Sequence, residues 1–317
     1  MCLAIMATAL WPLAGRAQEW PSRPVRLIVG FAPGSTPDIL ARLVADRLSQ
    51  RLGKPVLVEN KPGAAGNIGA DAVAKAAPDG LTFGVTISGP LAANTLLFRK
   101  LPYQPQTDLE CITIAATQPS VLVVTPRTGV KDVPALLARL QQEPGKFNYS
   151  SMGTGSISHL AVAALAARSG ADLVHVPYPG SAQAVTALLS GDVQLAVLPA
   201  AAVMPHVNAG KLIALAVATP RRSSVLPDLP TLAESGLADV QGDAWMGFIA
   251  PVGTAPAIIS RMQSEIAAIV KSEDMRQRLH GQWMEAVASS PAEMRATVQG
   301  DLARWQPVIR RHRIVLD

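Results

Sequence analysis

From Val25 to Val217 the chain alternates short β-rich runs with stretches of helical periodicity, and this alternation constrains the fold more than any other feature. Val25-Arg26-Leu27-Ile28-Val29 is a near-continuous apolar run, as in a strand buried on both faces. Residues 37–52 then place Leu40, Leu43, Val44 and Leu48 on one helical stripe. Thr36 is positioned to cap that helix, Pro37 suits its first turn and Gly53 ends it. Residues 56–59 read as strand, a Gly/Ala-rich turn and an alanine-rich helix run to about Ala77, and residues 82–88 read as strand. The alternation resumes with a strand at 121–124, a helix at 134–142, a strand at 147–150 and a helix at 156–168. Strands separated by helices predict an α/β protein whose sheets are mostly parallel and flanked by helices.

After Asp243 the character changes: one strand at 245–250 leads into helical sequence near 256–272 and 291–311. A helical tail that follows a second α/β block implies that the chain passes between two lobes twice, around 121–125 and 241–248. The 317 residues also suit two domains at about 150 residues each. The expected division is 18–122 with 246–317 as one discontinuous lobe and 123–245 as the other.

Residues 1–17 read as a secretory signal. An apolar stretch, residues 3–13, is broken by Trp11-Pro12, and small Gly15 and Ala17 suit cleavage before Gln18. A membrane anchor is the competing reading, but the run falls short of the roughly 18 apolar residues a span requires. The expected location is therefore the periplasm, after cleavage. Cys111 is then the only cysteine, within an apolar run, and reads as an inert buried thiol. One thiol builds neither a disulfide nor a cysteine-based metal site.

Composition excludes several classes. Hydrophobic residues are 49% and charged residues 16%, the opposite of a disordered chain. Aromatics are 4%, too few for a site of stacked rings on sugars or single strands. The net charge of +5 becomes +4 without Arg16 (27 basic minus 23 acidic). Its densest basic run, Arg310-Arg311-His312-Arg313, lacks interleaved aromatics and reads as a solvated helix end, so no nucleic-acid partner is expected.

Three loops share one design, small or polar residues after a strand and ahead of a helix. Such loops aim backbone N–H groups and the positive end of a helix at an anion. The first contains Phe31, Gly34, Ser35, Thr36 and Asp38; an ordinary helix cap explains it equally well. The second, the strongest, contains Ser151, Gly153, Thr154, Gly155 and Ser156, with His159 one turn into the helix and better suited to orienting the loop than to touching a ligand. The third ends a strand at Ser88. Tyr178 offers a wall or a phenol, or simple packing. All three loops follow the carboxyl ends of strands, where open α/β sheets bind ligands.

Other patterns carry little. The glycines of 63–69 have the wrong spacing for a dinucleotide fingerprint, and there is no nucleophile elbow and no His-x-x-x-His pair. Neither catalytic residues, nor a metal, nor a cofactor is expected. A hydrolase or lyase built on the second loop is a rival reading without an activated nucleophile.

The chain resembles the Bug-type solute receptors of tripartite tricarboxylate transporters. The resemblance rests on Trp20-Pro21-Ser22-Arg23-Pro24, the Phe31-to-Asp38 loop, Val58-Glu59-Asn60-Lys61-Pro62-Gly63, Pro78-Asp79-Gly80, Leu101-Pro102-Tyr103, the Gly153-to-His159 loop and His175-Val176-Pro177-Tyr178. It continues through Leu226-Pro227-Asp228-Leu229-Pro230-Thr231 and Ala250-Pro251-Val252-Gly253-Thr254. It implies a two-lobed type II periplasmic-binding fold, monomeric, closing on a small carboxylate such as a dicarboxylate, tricarboxylate or aromatic acid. Its partner would be a membrane transporter or, alternatively, a sensor kinase that reads the closed form. The loops of Phe31–Asp38 and Ser151–Ser156 would face each other across the cleft. Three positions depart from the pattern: Ser35 stands for a second glycine, Pro179 for a lysine and Gln194 for an aspartate. If that aspartate pairs with an amino acid's ammonium, Gln194 implies a carboxylate without an amine.

Overall fold

A computed structural model describes residues 20–238 and 240–316. The expected signal at 1–17 lies outside the described residues. In chain order the elements begin with β1 (Val25–Val29), α1 (Thr36–Leu52), β2 (Val56–Asn60), α2 (Asn67–Ala74), β3 (Thr82–Ile87), α3 (Ser88–Leu91), α4 (Ala93–Leu97), α5 (Pro105–Asp108) and β4 (Leu109–Gln118). Next come β5 (Ser120–Val124), α6 (Val133–Gln142), β6 (Phe147–Ser151), α7 (Ile157–Ser169), β7 (Leu173–Pro177), α8 (Ser181–Ser190), β8 (Leu195–Pro199), α9 (Ala200–Asn208) and β9 (Ile213–Val217). The chain ends with β10 (Ala244–Pro251), α10 (Pro256–Val270), α11 (Glu273–His280), β11 (Glu285–Ala286) and α12 (Pro291–His312).

Among the described residues the strands form two sheets, one of six strands ordered β11-β4-β10-β3-β1-β2 and one of five ordered β7-β6-β8-β5-β9. The two-sheet α/β plan matches the sequence reading, but the balance of directions does not. Only β1–β2, β1–β3, β6–β7 and β6–β8 are parallel. The strands that carry the chain from one sheet to the other pair antiparallel: β10 with β3 and β4, β5 with β8 and β9. A strand that leaves its sheet directly needs no crossover helix, so nothing forces it parallel.

The first change of sheet is made by Pro119 alone, between the end of β4 and the start of β5. This is just ahead of the expected 121–125. Both changes of sheet join corresponding ends. Gln118 of β4 lies opposite Ala244 of β10, and Ser120 of β5 opposite Pro199 of β8. At those same ends lie the carboxyl termini of β1, β3, β6 and β8. The loops after these strands therefore all open toward the junction of the two sheets.

Each sheet has its own core. Leu27, Val29, Leu40, Val44, Leu48, Phe83 and Phe248 are fully or almost fully buried on one face of the first. Leu122, Val124, Leu136, Phe147, Leu165, Leu195 and Val197 do the same in the second. A smaller cluster of Ala93, Leu97, Leu160, Trp305 and Ile309 joins α4, α7 and α12. At about 25 cal/mol per Å² of buried apolar surface, these clusters are the main favourable contribution to folding.

Candidate functional site

The loop between β1 and α1 is held by a carboxylate that faces inward. Asp38 is 2% exposed and accepts hydrogen bonds from Gly34 N–H (2.8 Å), Asn60 Nδ2 (2.7 Å) and Arg42 Nε (3.0 Å). Burial opposes its charge, yet these bonds hold its carboxyl below the ordinary range. Asn60 also donates to Phe31 O at 3.0 Å. Asp38 thus braces the loop and has its acceptors engaged, so it is a poor candidate for direct ligand contact. The neighbouring glycines explain how close the backbone comes. A Cβ on Gly69 would lie 2.3 Å from Gly30 Cα, and one on Gly66 would lie 2.6 Å from Phe31 Cζ. The glycine-rich stretch of 63–69 thereby seats α2 against the end of β1.

Ser35 is the N-cap of α1 by backbone conformation (φ −69°, ψ 158°), yet its side chain makes no capping bond. Its Oγ is buried without a partner. The Thr36 and Asp38 amides of the first turn also have no acceptor among the described residues. The helix therefore begins with its positive end and two N–H donors uncommitted. Thr36 Oγ1 lies 3.4 Å from Gln118 Oε1, at the change of sheet. Ser88, which opens α3 after β3, is 2% exposed, and its Oγ is likewise buried without a partner. Two orphaned hydroxyls at the ends of adjacent parallel strands are unusual, because buried polar atoms are nearly always bonded.

In the second sheet the loop after β6 is bound mostly to itself. Ser156 caps α7, accepting from His159 N–H and donating to Gly153 O at 2.6 Å. Ser151 Oγ contacts Gly153 O (3.1 Å), Gly153 N–H (3.2 Å) and His175 Nε2 (2.7 Å). His159 Nδ1 accepts the Gly155 N–H at 3.0 Å. Gly153 and Gly155 have φ of +111° and +77°, conformations that favour glycine. What the loop leaves open is exposed Thr154, whose amide makes no bond among the described residues. Half-buried Tyr178 follows β7; its N–H donates to Ser151 O at 3.0 Å and its ring packs on the second sheet's core.

Two sequence inferences change. Gln194 precedes β8 beside Asn148, whose N–H donates to Gln194 Oε1 at 2.8 Å, while Gln194 Nε2 donates to Gly191 O. Asn148 is at the start of β6, three residues or about 10 Å from the loop that follows Ser151. A side chain so placed and so occupied does not reach a ligand at that loop, and the exclusion of amino acids loses its basis. Cys111 is half-buried, with its thiol pushed up to about 11 by burial. A separate cavity of about 460 Å³, lined by Arg168, Gln241, Arg304 and Arg311 among others, opens between α7 and α12. None of the candidate residues lines it.

The sequence reading missed Asn60, Gln118 and His175, each of which contacts a loop from far along the chain. No group of His, Cys, Asp and Glu side chains able to hold a metal occurs among the described residues.

Two sheets exchanging strands at their ligand-facing ends make up the architecture of periplasmic solute-binding proteins, and solved structures of that class share it closely. An R. palustris protein solved with adipate is 35% identical over 92% of this chain and 97% of its own, with a TM-score of 0.82. A malate-bound protein from Rhodopseudomonas palustris is 31% identical, covering 92% and 100%, with a TM-score of 0.78. Protein BugT of Bordetella pertussis is 35% identical over 93% of this chain and 90% of its own. Residues 40–314 match the family described as "Tripartite tricarboxylate transporter family receptor", and the chain belongs to that family.

Proposed function

We propose that the chain captures one small carboxylate between its two lobes, in the periplasm, and presents it to a tripartite tricarboxylate-type membrane transporter. The observation that carries this reading is the pair of buried, unbonded hydroxyls of Ser35 and Ser88 beside the uncapped start of α1. Such a cluster offers neutral donors and a helix dipole to an anion, without a side-chain cation to neutralise it. The Thr154 amide would close on the ligand from the other lobe. Ser151, Gly153, Gly155 and Ser156 shape that loop, and Phe31 and Tyr178 would supply walls. Adipate and malate in the two related structures support the ligand class.

We take the lobes to divide near Pro119 and just ahead of Ala244, with the tail in the first lobe, a division that the sheet membership of the strands supports. We further take residues 1–17 as the cleaved signal and the receptor as a monomer. Hydrogen bonds to a charged group contribute about 1.5–3 kcal/mol each. Four or five, less ordering costs, leave about −8 kcal/mol, or roughly micromolar affinity.

A thermal-shift screen of residues 18–317 against dicarboxylates, aromatic acids, amino acids and sugars tests the reading. A carboxylate at 100 times its Kd adds about 2.7 kcal/mol, a shift of several degrees for lobes of this size. Stabilisation by sugars and by no carboxylate would overturn it.

A further inference from the structure

Beneath the loop of 151–156 three rings are stacked. His159 and His175 lie 3.8 Å apart with planes 3° from parallel, and Tyr149 covers His175 at 4.9 Å and 25°. Each imidazole holds one end of the loop: His175 Nε2 meets Ser151 Oγ at 2.7 Å, and His159 Nδ1 accepts the Gly155 N–H at 3.0 Å. That second bond fixes chemistry as well as shape. An Nδ1 that accepts an amide hydrogen carries no proton, so His159 is the Nε2–H tautomer and uncharged. Two rings at 3.8 Å face to face do not carry two positive charges at modest energetic cost.

We propose that His159 and His175 form a neutral, stacked positioning pair that fixes the ligand-facing loop, and that anion binding there draws on no imidazolium. The proposal rests on the carboxylate reading above only for its affinity readout. The loop needs such bracing because Gly153 and Gly155, both at positive φ, leave its course open. With Gly155 N–H taken by His159 and Ser156 spent on its helix, the loop leaves the Thr154 amide unbonded among the described residues. Burial, then the adjacent His175 and His312, push His159 down to about 3. Burial lowers His175 too. Tyr149 from β6, His175 from β7 and His312 from α12 are the titratable groups that face His159. None is a carboxylate that would favour a cation.

¹⁵N-histidine NMR of the unliganded chain between pH 8 and 5 reads both tautomer and charge. The expected result is a His159 that stays Nε2-protonated and does not titrate across that interval. Titration of His159 near its ordinary value, or an Nδ1–H tautomer, overturns the proposal. His159→Asn places an amide oxygen near the former Nδ1, whereas His159→Phe keeps the stack without an acceptor. His159→Asn should retain slow exchange of the Gly155 amide and adipate affinity within about 3-fold, while His159→Phe loses the protection and weakens adipate about 10-fold or more. Equal behaviour of the two variants refutes the positioning role. The adipate Kd of the unmodified protein should be flat from pH 8 to 6, and tightening as pH falls would point to an imidazolium. Should neither adipate nor malate bind, the affinity comparison moves to whichever carboxylate the thermal-shift screen returns, and the NMR result decides the tautomer and charge of His159 without any ligand.

Discussion

Ser35 and Ser156 occupy the same position at the starts of two helices, with nearly the same backbone angles, but only Ser156 caps its helix. The Ser35 hydroxyl is buried and unbonded, and on the proposed reading it is a donor for the ligand. The two serines should therefore separate affinity from stability. Ser35→Ala should weaken carboxylate binding by about 1.5–3 kcal/mol, a 10- to 150-fold rise in Kd. It should leave denaturant stability within about 0.5 kcal/mol. Ser156→Ala should cost about 1 kcal/mol of stability, the usual loss for an N-cap. Calorimetric titration and urea melts read the two effects independently.

Ser88 gives a sharper version. Its Oγ is orphaned in a residue only 2% exposed, so the unliganded protein bears the cost of desolvating it. Ser88→Ala should leave the unliganded protein as stable or slightly more stable, and should reduce the thermal shift produced by a bound carboxylate. A destabilised unliganded variant would show that the hydroxyl is bonded within the fold.

Gly69 tests the packing under the first loop. Its missing Cβ would lie 2.3 Å from Gly30 Cα, so the clash is with backbone that has no rotamer to change. Gly69→Ala should destabilise by about 1–3 kcal/mol or more, as overpacking does. It should also weaken binding, because α2 is pushed off the strand that ends at the site.

Asp243, in the second passage between sheets, has its carboxyl pushed up to about 6, first by burial and then by the nearby Asp301 and Glu285, against the pull of Arg304. A carboxyl raised above its ordinary 3.8 gives stability that is complete below that value and lost as pH rises through about 6. Asp243→Asn should therefore gain on the unmodified protein between pH 4 and 7, by up to about 3 kcal/mol. Thermal melts at the two pH values check the sign. A gain that shrinks as pH rises contradicts the assignment.

Gln194 should be indifferent to ligand choice. Gln194→Asp should leave the ranking of carboxylates and amino acids unchanged while costing about 1 kcal/mol through its lost bond to Asn148. Newly acquired amino-acid binding would restore the inference that the structure overturns.

The legible and the illegible parts of this fold divide by sequence distance. Apolar runs such as Val25–Val29 and the stripe of Leu40, Val44 and Leu48 report burial locally, and both are buried. Strand direction is not local: Ser120–Val124 and Val25–Val29 read alike as apolar runs, yet the first pairs only antiparallel and the second only parallel. The candidate loops stand out because glycine and hydroxyl residues cluster along the chain. Which hydroxyls are spent could not, since Asn60 reaches Asp38 across 22 residues and His175 reaches Ser151 across 24. Gln194 misled for the same reason, as its place becomes visible only once β6 and β8 are in register.

Helix α12 has a bearing on how the molecule could be taken apart. Over 22 residues, about 33 Å, it lies against β4 and α4 at one stage and against α7 at another. Trp305 sits at the meeting point, among Leu97 and Leu160. Neither half is then an autonomous piece: a fragment cut at Pro119 would expose the apolar flank of α7 that α12 covers. Heating should melt the whole in one cooperative step, even though each of the two sheets has a core of its own.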